Sequence, residues 1–184
     1  MRKLSHRVAY CLAGIGAFFF SDQRVRELIP RFGNAGAMWI LNALWFQKVL
    51  GFNRRAPYPM HFTQRISRYD NLDIPLSSFN NLQAPGVYFQ NFLARISLGE
   101  DCYIAPHVGF ITANHEVGDL HSHSEGKEII IGDRCWIGMN AVIMPGVILG
   151  SDTVVGAGAV VTKSFPAGKV VLGGVPAKPL KNLP

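Results

Sequence analysis

The chain has 184 residues, of which 48% are hydrophobic and 16% charged, so we expect a sizeable core and no extended disorder. The formal net charge is +6, but no compact Lys/Arg cluster with interleaved aromatics is found, so nucleic-acid binding is not expected. The cysteines number three, which argues against a disulfide scaffold and favours a reducing, cytoplasmic location.

The first 59 residues predict helices and a short connector. A basic start over residues 1–7 precedes an apolar run over 8–20, and a second apolar stretch covers 35–50. The first run is too short for a spanning helix, which needs about 20 residues, and it lacks a signal-peptide cleavage site. We expect two helices that pack on the rest of the protein or on a neighbouring subunit. The alternative is a peripheral membrane contact through residues 8–50, which would make the protein membrane-associated.

Further along the chain, aliphatic or aromatic residues recur every six positions. A period of six fits neither a helix, with 3.6, nor an alternating strand, with 2. It is typical of a solenoid in which three short strands make one coil, with one large residue per hexad pointing inward. The inward set is Leu98, Ile104, Phe110, Ile131, Ile137, Ile143, Leu149, Val155 and Val161. The residues two places before them are expected inside as well, and are Ile96, Cys102, Val108, Cys135, Ala141, Val147, Thr153 and Ala159. Glycine follows several hexads, at Gly132, Gly138, Gly150 and Gly156, and we expect it where the backbone turns sharply.

These patterns give three regions. Residues 1–59 form the N-terminal helical segment and connector, residues 60–166 the solenoid, and residues 167–184 a strand and a basic tail. The spacing between Phe110 and Ile131 is 21 residues, which six does not divide, so an extended loop at about 114–128 is inserted there.

The inserted loop holds the residues best suited to chemistry. Proton transfer at neutral pH needs a base with a pKa near neutrality, and His115 is the candidate because the ordinary pKa of histidine is about 6.5. Glu116, Asp119, His121 and His123 lie nearby. Histidine and carboxylates also bind zinc, but the histidines lie in a Ser/Gly-rich loop, and we do not expect a metal site.

Three segments resemble the hexapeptide-repeat acyltransferases, in the branch of galactoside, maltose and capsule-polysaccharide O-acetyltransferases. They are LGEDCYIAPHVGFITANHE at 98–116, the hexads of 129–166, and GGVPAK at 173–178. The resemblance implies an all-β, left-handed parallel β-helix with N-terminal helical segments. It also implies a homotrimer with active sites between subunits. Acetyl-CoA would be the co-substrate, and the acceptor a sugar or polysaccharide precursor.

The resemblance further implies roles for individual residues. His115 would deprotonate the acceptor, and Glu116 or Asp119 would orient His115 or meet the acceptor. Gln90 or Asn91 would present an amide to the developing oxyanion, and the choice between the two stays open. The positions expected along the pantetheine arm are Trp136, Met139, Ala157 and Thr162. The positions expected at the CoA phosphates are Lys163, Lys178 and Lys181.

Three other functions stay open at this point. The first is N-acetylation of an amino or nucleotide-linked sugar, since such enzymes share the coils and a histidine base. The second is a metalloenzyme like the γ-class carbonic anhydrases, which use this β-helix with histidine-bound metal. The third is a scaffold without catalytic activity. No motif in the sequence identifies the acceptor.

Overall fold

The computed structural model describes residues 2–184, apart from the side chains of residues 2–6 and 9. The basic start predicted at residues 1–7 therefore lies almost entirely outside the described side chains. The chain divides into two compact units, one ending at Phe62 and one starting at Thr63. The predicted fold class, a parallel β-helix with N-terminal helical segments, is confirmed.

The N-terminal unit is helical. Its elements are α1 (Arg2–Gly16), 3-10 turns at Ala17–Phe19 and Gln23–Glu27, α2 (Leu28–Phe32), α3 (Asn34–Ala43) and a π-helical turn, Leu44–Val49. Small residues let α1 and α3 approach closely, since a Cβ atom added to Gly16 would lie 3.1 Å from Cγ2 of Ile40. Among the residues described, none of the helices combines the length and apolar character needed to cross a membrane.

The connector that leaves the helices is fixed by one buried amide. Gln47 has no exposed surface, and its Oε1 accepts a hydrogen bond of 3.1 Å from the main-chain N–H of Met60. Its Nε2 donates to the carbonyl oxygens of Asn53 and Tyr58, each at 3.3 Å. Because a buried amide costs free energy unless its polar atoms are bonded, these contacts make the connector an ordered part of the unit.

The second unit is built from short strands. In chain order they are β1 (Arg65–Ile66), β2 (Leu72–Asp73), β3 (Tyr88–Gln90), β4 (Ile96–Leu98), β5 (Tyr103–Ile104), β6 (Gly109–Ile111), β7 (His115–Glu116), β8 (Asp119–His123), β9 (Ile129–Ile131), β10 (Trp136–Ile137), β11 (Val142–Ile143), β12 (Ile148–Leu149), β13 (Val154–Val155), β14 (Val160–Val161), β15 (Val170–Gly173) and β16 (Lys178–Asn182).

Successive strands belong to three parallel sheets, so that a full coil places one strand in each. The first sheet has the order β1-β3-β6-β11-β14, the second β2-β4-β9-β12, and the third β5-β10-β13-β15 with β16 at its edge. In the first coil a 3-10 helix, Leu76–Gln83, occupies the place of the third strand and contacts β5. The three sheets enclose the core.

The predicted inward residues form that core. All nine members of the six-residue series, and all eight residues two places before them, are buried. Equivalent residues stack coil on coil: Ile137 pairs with Ile104 on one side and Val155 on the other. The rings of Phe89 and Phe110 stack at 5.1 Å. Burying such a side chain contributes about 1.5–3 kcal/mol, so the hexads supply the main stabilisation of this unit.

The buried cysteines belong to the same packing. A hydrogen bond with Cys102, and then burial, raise the pKa of the Cys135 thiol. The Sγ atom of Cys102 lies 3.1 Å from the carbonyl oxygen of Gly132, and that of Cys135 lies 3.3 Å from Gly150 O. Such groups pack as small hydrophobic side chains with a weak donor, as expected from their hexad positions.

The reason expected for the hexad glycines, a sharp turn of the backbone, is wrong. The left-handed backbone at the corners is adopted by other residues, among them Asp101, Arg134 and Asp152, with φ between 52° and 60°. Aspartate and asparagine tolerate this conformation better than most side chains, and here an arginine adopts it too. Gly150 is needed for a different purpose: a Cβ there would lie 2.3 Å from the carbonyl oxygen of Pro166 in the next coil. Gly132 and Gly138 meet the following coil in the same way.

Two irregular regions also differ from expectation. The loop at 114–128 contains an antiparallel hairpin, β7–β8, in which His115 pairs with His123 and Glu116 with Asp119. The predicted basic tail is not a tail, because β16 folds back antiparallel to β15. The hairpin places its side chains in fixed positions relative to one another.

Candidate active site

The β7–β8 hairpin lies at the corner between the first and second sheets, where the chain leaves β6 and returns at β9. Its base is closed by Asn114 and Ser124: the Ser124 N–H donates to the carbonyl oxygen of Asn114 at 2.8 Å, and the Asn114 N–H donates to Ser124 Oγ at 3.0 Å. The N–H of Lys127 then bonds the carbonyl of Thr112 at 2.8 Å. These bonds attach the exposed hairpin firmly to the rigid coils.

One ring nitrogen of His115 has a defined partner. Its Nδ1 lies 2.8 Å from the main-chain carbonyl oxygen of Leu120, across the hairpin. A carbonyl oxygen can only accept a hydrogen bond, so Nδ1 carries the proton. In the neutral ring, Nε2 is then the atom with the free lone pair. The hairpin therefore presents His115 in the tautomer that a general base requires.

The ring of His115 is held from the side as well. The His123 ring packs against it with 4.3 Å between centroids. The His123 ring in turn meets Phe92 edge-on, with a centroid distance of 5.0 Å. This three-ring stack connects the hairpin to the segment that follows β3, and limits rotation of the His115 ring.

The carboxylates of the hairpin do not orient His115 in this arrangement. Asp119 accepts hydrogen bonds from Ser122 Oγ at 2.5 Å and from the main-chain N–H of His121 at 3.0 Å. The Ser122 hydroxyl, and then the His121 amide, hold the pKa of Asp119 below its usual value. Asp119 thus stabilises the hairpin turn, and Glu116 is exposed on the neighbouring strand. The orienting bond expected from a carboxylate is made instead by the Leu120 carbonyl.

A groove of about 510 Å³ runs beside the hairpin. One wall comes from the hairpin and its return segment, and the other from corners of the following coils. The lining residues are Asn114, Ser124, Glu125, Lys127, Met144, Pro145 and Thr162. The wall contains both signs of charge together with an apolar strip, which suits a ligand that has polar and apolar parts.

Gln90 lies under the start of the inserted segment. Its Oε1 accepts from the main-chain N–H groups of Thr112 and Ala113, at 2.9 and 3.1 Å. Its Nε2 donates to the carbonyl of Ala113 at 3.0 Å. These bonds fix the two residues that lead into Asn114 and His115, while one hydrogen of the amide group is left for a further acceptor.

Asn91 is placed differently. It is fully buried, with Oδ1 accepting from the N–H of Arg68 at 2.9 Å and Nδ2 donating to the carbonyl of Arg68 at 2.8 Å. Its own carbonyl accepts from Nδ2 of Asn71 at 2.9 Å. Of the two amides considered from the sequence, Asn91 bridges adjacent coils and Gln90 adjoins the hairpin.

Replacing Asn91 by alanine should destabilise the β-helix by about 2–3 kcal/mol, because its buried side chain would be lost and the main-chain N–H and C=O of Arg68 would both lose a partner. The midpoint of urea unfolding measures this, with Asn182→Ala, an exposed site, as the control. An Asn91→Ala protein with an unchanged urea midpoint would contradict this structural role.

The residues expected along acetyl-CoA lie on two separate edges of the β-helix. Thr162 lines the groove beside the hairpin, and Lys163 follows it. Trp136 lies in the third sheet, between Tyr103 and Val154 in register. The remaining four are Met139 and Ala157 at the corner after that sheet, and Lys178 and Lys181 on β16 at its edge. Within one chain these groups do not meet.

Several residues of this site have no signal in the sequence. Leu120 acts through its carbonyl oxygen, which any residue could supply, and Phe92, Ser124 and Lys127 are brought to the site by the shape of the insertion. Among the described side chains, those of residues 7, 8 and 10–184, no three His, Cys, Asp or Glu groups lie together so that they could hold a metal ion.

Comparison with known proteins identifies relatives of the chain. Residues 128–163 match the family model described as bacterial transferase hexapeptide (six repeats). A Dictyostelium discoideum protein, provisionally named an acetyltransferase, is 36% identical over 162 residues, covering 86% of this chain and 82% of the relative. The galactoside O-acetyltransferase of Escherichia coli K12 is 37% identical over 91 residues, covering 48% of this chain and 44% of the relative.

Several of these matches cover only about half of this chain. The first relatives, from Schizosaccharomyces pombe and Escherichia coli, are matched over 45% and 44% of their length, so the chain spans about half of them. Among solved structures, a maltose O-acetyltransferase from Clostridium difficile 630 superposes with a TM-score of 0.49 at 33% identity, covering 54% of each chain.

Proposed function

Because this chain belongs to the bacterial hexapeptide transferase family, we propose that it transfers an acetyl group from acetyl-CoA to a hydroxyl of a sugar or polysaccharide precursor. His115 is the general base. The observation that carries this proposal is the 2.8 Å bond between its Nδ1 and the carbonyl of Leu120, which leaves Nε2 as the proton acceptor. Relatives named for O-acetyl transfer to galactosides and in colanic acid biosynthesis support the choice of a saccharide hydroxyl.

The proposed reaction begins at the lone pair on Nε2 of His115. Nε2 of His115 takes the proton of the acceptor hydroxyl as its oxygen attacks the thioester carbonyl of acetyl-CoA. The Leu120 carbonyl stabilises the imidazolium ion that results, because Nδ1 keeps its hydrogen bond. When the C–S bond breaks, His115 returns the proton to the departing CoA sulfur. The imidazole is then neutral again, and no acyl-enzyme is formed.

The oxyanion needs a donor, and Gln90 is the better placed of the two candidate amides. Its oxygen and one hydrogen are engaged with Thr112 and Ala113, so the amide is fixed before the substrate arrives. We assign its remaining N–H to the developing negative charge, where a preorganised donor is most effective. Glu116 and Asp119 are assigned to the acceptor side of the hairpin rather than to His115.

The complete site is proposed to form between subunits of a homotrimer. His115 and Thr162 lie at one edge of the β-helix, while Trp136 and Lys181 lie on the third sheet. A neighbouring copy that brings its third sheet to the hairpin edge would unite the two groups around one acetyl-CoA. The lysines Lys163, Lys178 and Lys181 would then bind the phosphates of the nucleotide end.

We place this activity in the cytoplasm, where acetyl-CoA is available, and propose that residues 8–50 contact a membrane surface. A protein at that position can acetylate a saccharide precursor assembled there. We propose no nucleic-acid partner, because the sequence has no compact Lys/Arg cluster with interleaved aromatics.

The test is acceptor-dependent release of CoA from acetyl-CoA, measured with a thiol reagent across a panel of saccharides, amino sugars and nucleotide-linked sugars. We expect turnover with a subset of hydroxyl acceptors and an acetyl ester in the product. Turnover restricted to amino sugars, with an amide product, would replace O-acetylation by N-acetylation. Absence of both turnover and thermal stabilisation by acetyl-CoA would overturn the transferase assignment.

A further inference from the structure

The N-terminal unit exposes a continuous apolar stripe along its first helix. Val8, Leu12 and Ile15 follow the spacing i, i+4, i+7, which places them on one face of α1, and Phe19 continues the apolar series in the 3-10 turn after it. Each has between 52% and 63% of its surface exposed, and Phe18 beside them has 69%. Large apolar side chains aligned on an open face form a contiguous patch, and such patches mark contact sites in soluble proteins.

The opposite face of the same helix is made of small residues. Ala13 and Ala17 are buried, and Gly16 lies against Leu44 and Ile40 of the neighbouring helical segment. A helix stabilised in water by its own unit would bury the large apolar side chains and expose the small ones. Here the arrangement is reversed, so the stripe has a partner other than the rest of this unit.

Positive charges accompany the stripe. The guanidinium of Arg26 lies over the Phe18 ring, with 4.7 Å to the centroid, and Nζ of Lys48 lies 4.5 Å from the centroid of Phe20.

The N-terminal unit as a whole is also positively charged. Residues up to Phe62 include nine Lys/Arg and two Asp/Glu, a formal charge of +7, whereas the remainder of the chain has a formal charge of −1. The net charge of +6 therefore comes entirely from the helical unit, although the basic residues are spread along the whole sequence. An exposed apolar stripe on a unit with an excess of Lys and Arg is typical of elements that lie in the plane of a membrane interface.

We infer that this unit binds the surface of a bilayer rich in anionic phospholipids, with the stripe inserted among the acyl chains and the cations at the phosphates. This inference rests on the membrane contact proposed above, and it adds the lipid class and the inserted residues; it does not depend on acetyl transfer. Each Lys or Arg near such a surface adds to the attraction, which weakens as salt screens the charges. Pairing of two copies through the stripe is disfavoured, because it would bring two units of charge +7 together.

The experiment is flotation of the full chain with vesicles of phosphatidylcholine alone or of phosphatidylcholine with phosphatidylglycerol. We expect at least about tenfold tighter binding to the anionic vesicles, weakened by added salt. Leu12→Ser with Phe19→Ser should reduce binding at least about tenfold, because each removes an apolar side chain that would be buried in the bilayer on binding. The control, Val175→Ser with Leu180→Ser, changes two exposed apolar residues of the other unit and should bind normally.

A charge-matched pair completes the test. Arg7→Gln with Arg26→Gln should weaken binding to the anionic vesicles, whereas Arg65→Gln with Arg95→Gln, exposed cations of the β-helix unit, should not. All variants should retain acetyl transfer to a soluble acceptor, which separates loss of membrane binding from loss of the enzyme. Equal binding to both vesicle types, no binding, or an equal loss in the control variants would overturn the inference. Stripe variants that change the oligomeric size, with vesicle binding unaltered, would identify a second copy as the occupant instead.

Discussion

His115→Ala should lower kcat by about 10²- to 10⁴-fold, the contribution typical of a general base. The KM for acetyl-CoA should change only a few-fold, because the ring acts on the proton of the acceptor and not on the bound cofactor. The His115 side chain is exposed at the hairpin, so the melting temperature should stay close to that of the unmodified chain. The measurement is CoA release under saturating acetyl-CoA with an acceptor found in the panel.

The matched control for this variant is His121→Ala. His121 lies on the same hairpin and is exposed, but its contact with Asp119 is made by its main-chain N–H. Its replacement should therefore leave kcat within a few-fold. If His115→Ala retained most of the turnover, or if His121→Ala lost as much as His115→Ala, the assignment of the base would be wrong.

Gly150→Ala should destabilise the β-helix by about 3 kcal/mol or more, in the range expected when a buried backbone must move. The added Cβ would lie 2.3 Å from the carbonyl oxygen of Pro166 and 2.5 Å from the N atom of Gly168. Both atoms belong to the backbone of the next coil, which cannot move aside without breaking the Gly150 N–H to Phe165 carbonyl bond of 2.9 Å. The free energy of unfolding in urea measures the effect.

Gly109→Ala is the comparison for that experiment. Its Cβ would meet only the methyl groups of Val142, at 3.9 Å, which is ordinary contact. Gly109 is also a strand residue without a left-handed backbone, so this variant should be within about 1 kcal/mol of the unmodified chain, or more stable. Equal losses at both glycines would mean that lost flexibility, not the approach of the coils, sets the requirement for glycine.

The core of the β-helix could be predicted from the sequence because it repeats. Ile137 occupies the same environment as Ile104 and Val155, and a pattern of six residues records that environment several times over. The reason for the glycines could not be read in the same way. A glycine in the sequence can indicate either a left-handed backbone at a corner or a close approach between coils. Here the left-handed backbone at the corners is adopted by other residues, such as Asp101 and Arg134.

The site was only partly predictable, for a related reason. His115 stands out because it interrupts the repeat and because histidine titrates near neutrality. Its partner is the carbonyl of Leu120, and the main chain is the same at every residue, so no side-chain pattern signals it. Gln90 and Asn91 are adjacent and chemically alike, and only the path of the chain after β3 places the first beneath the hairpin and the second within the coil.

The folded-back strand β16 affects the tendency of the protein to aggregate through its strand edges. A stack of parallel coils presents an open row of hydrogen-bonding groups at its end, onto which further strands can add. Here that edge is taken by a strand of opposite direction that includes Pro179, which has no N–H to donate, between Lys178 and Lys181. Charge and proline at an outer strand discourage edge-to-edge growth into fibres. The lysines proposed to meet the CoA phosphates would thus also keep one β-helix from extending into another.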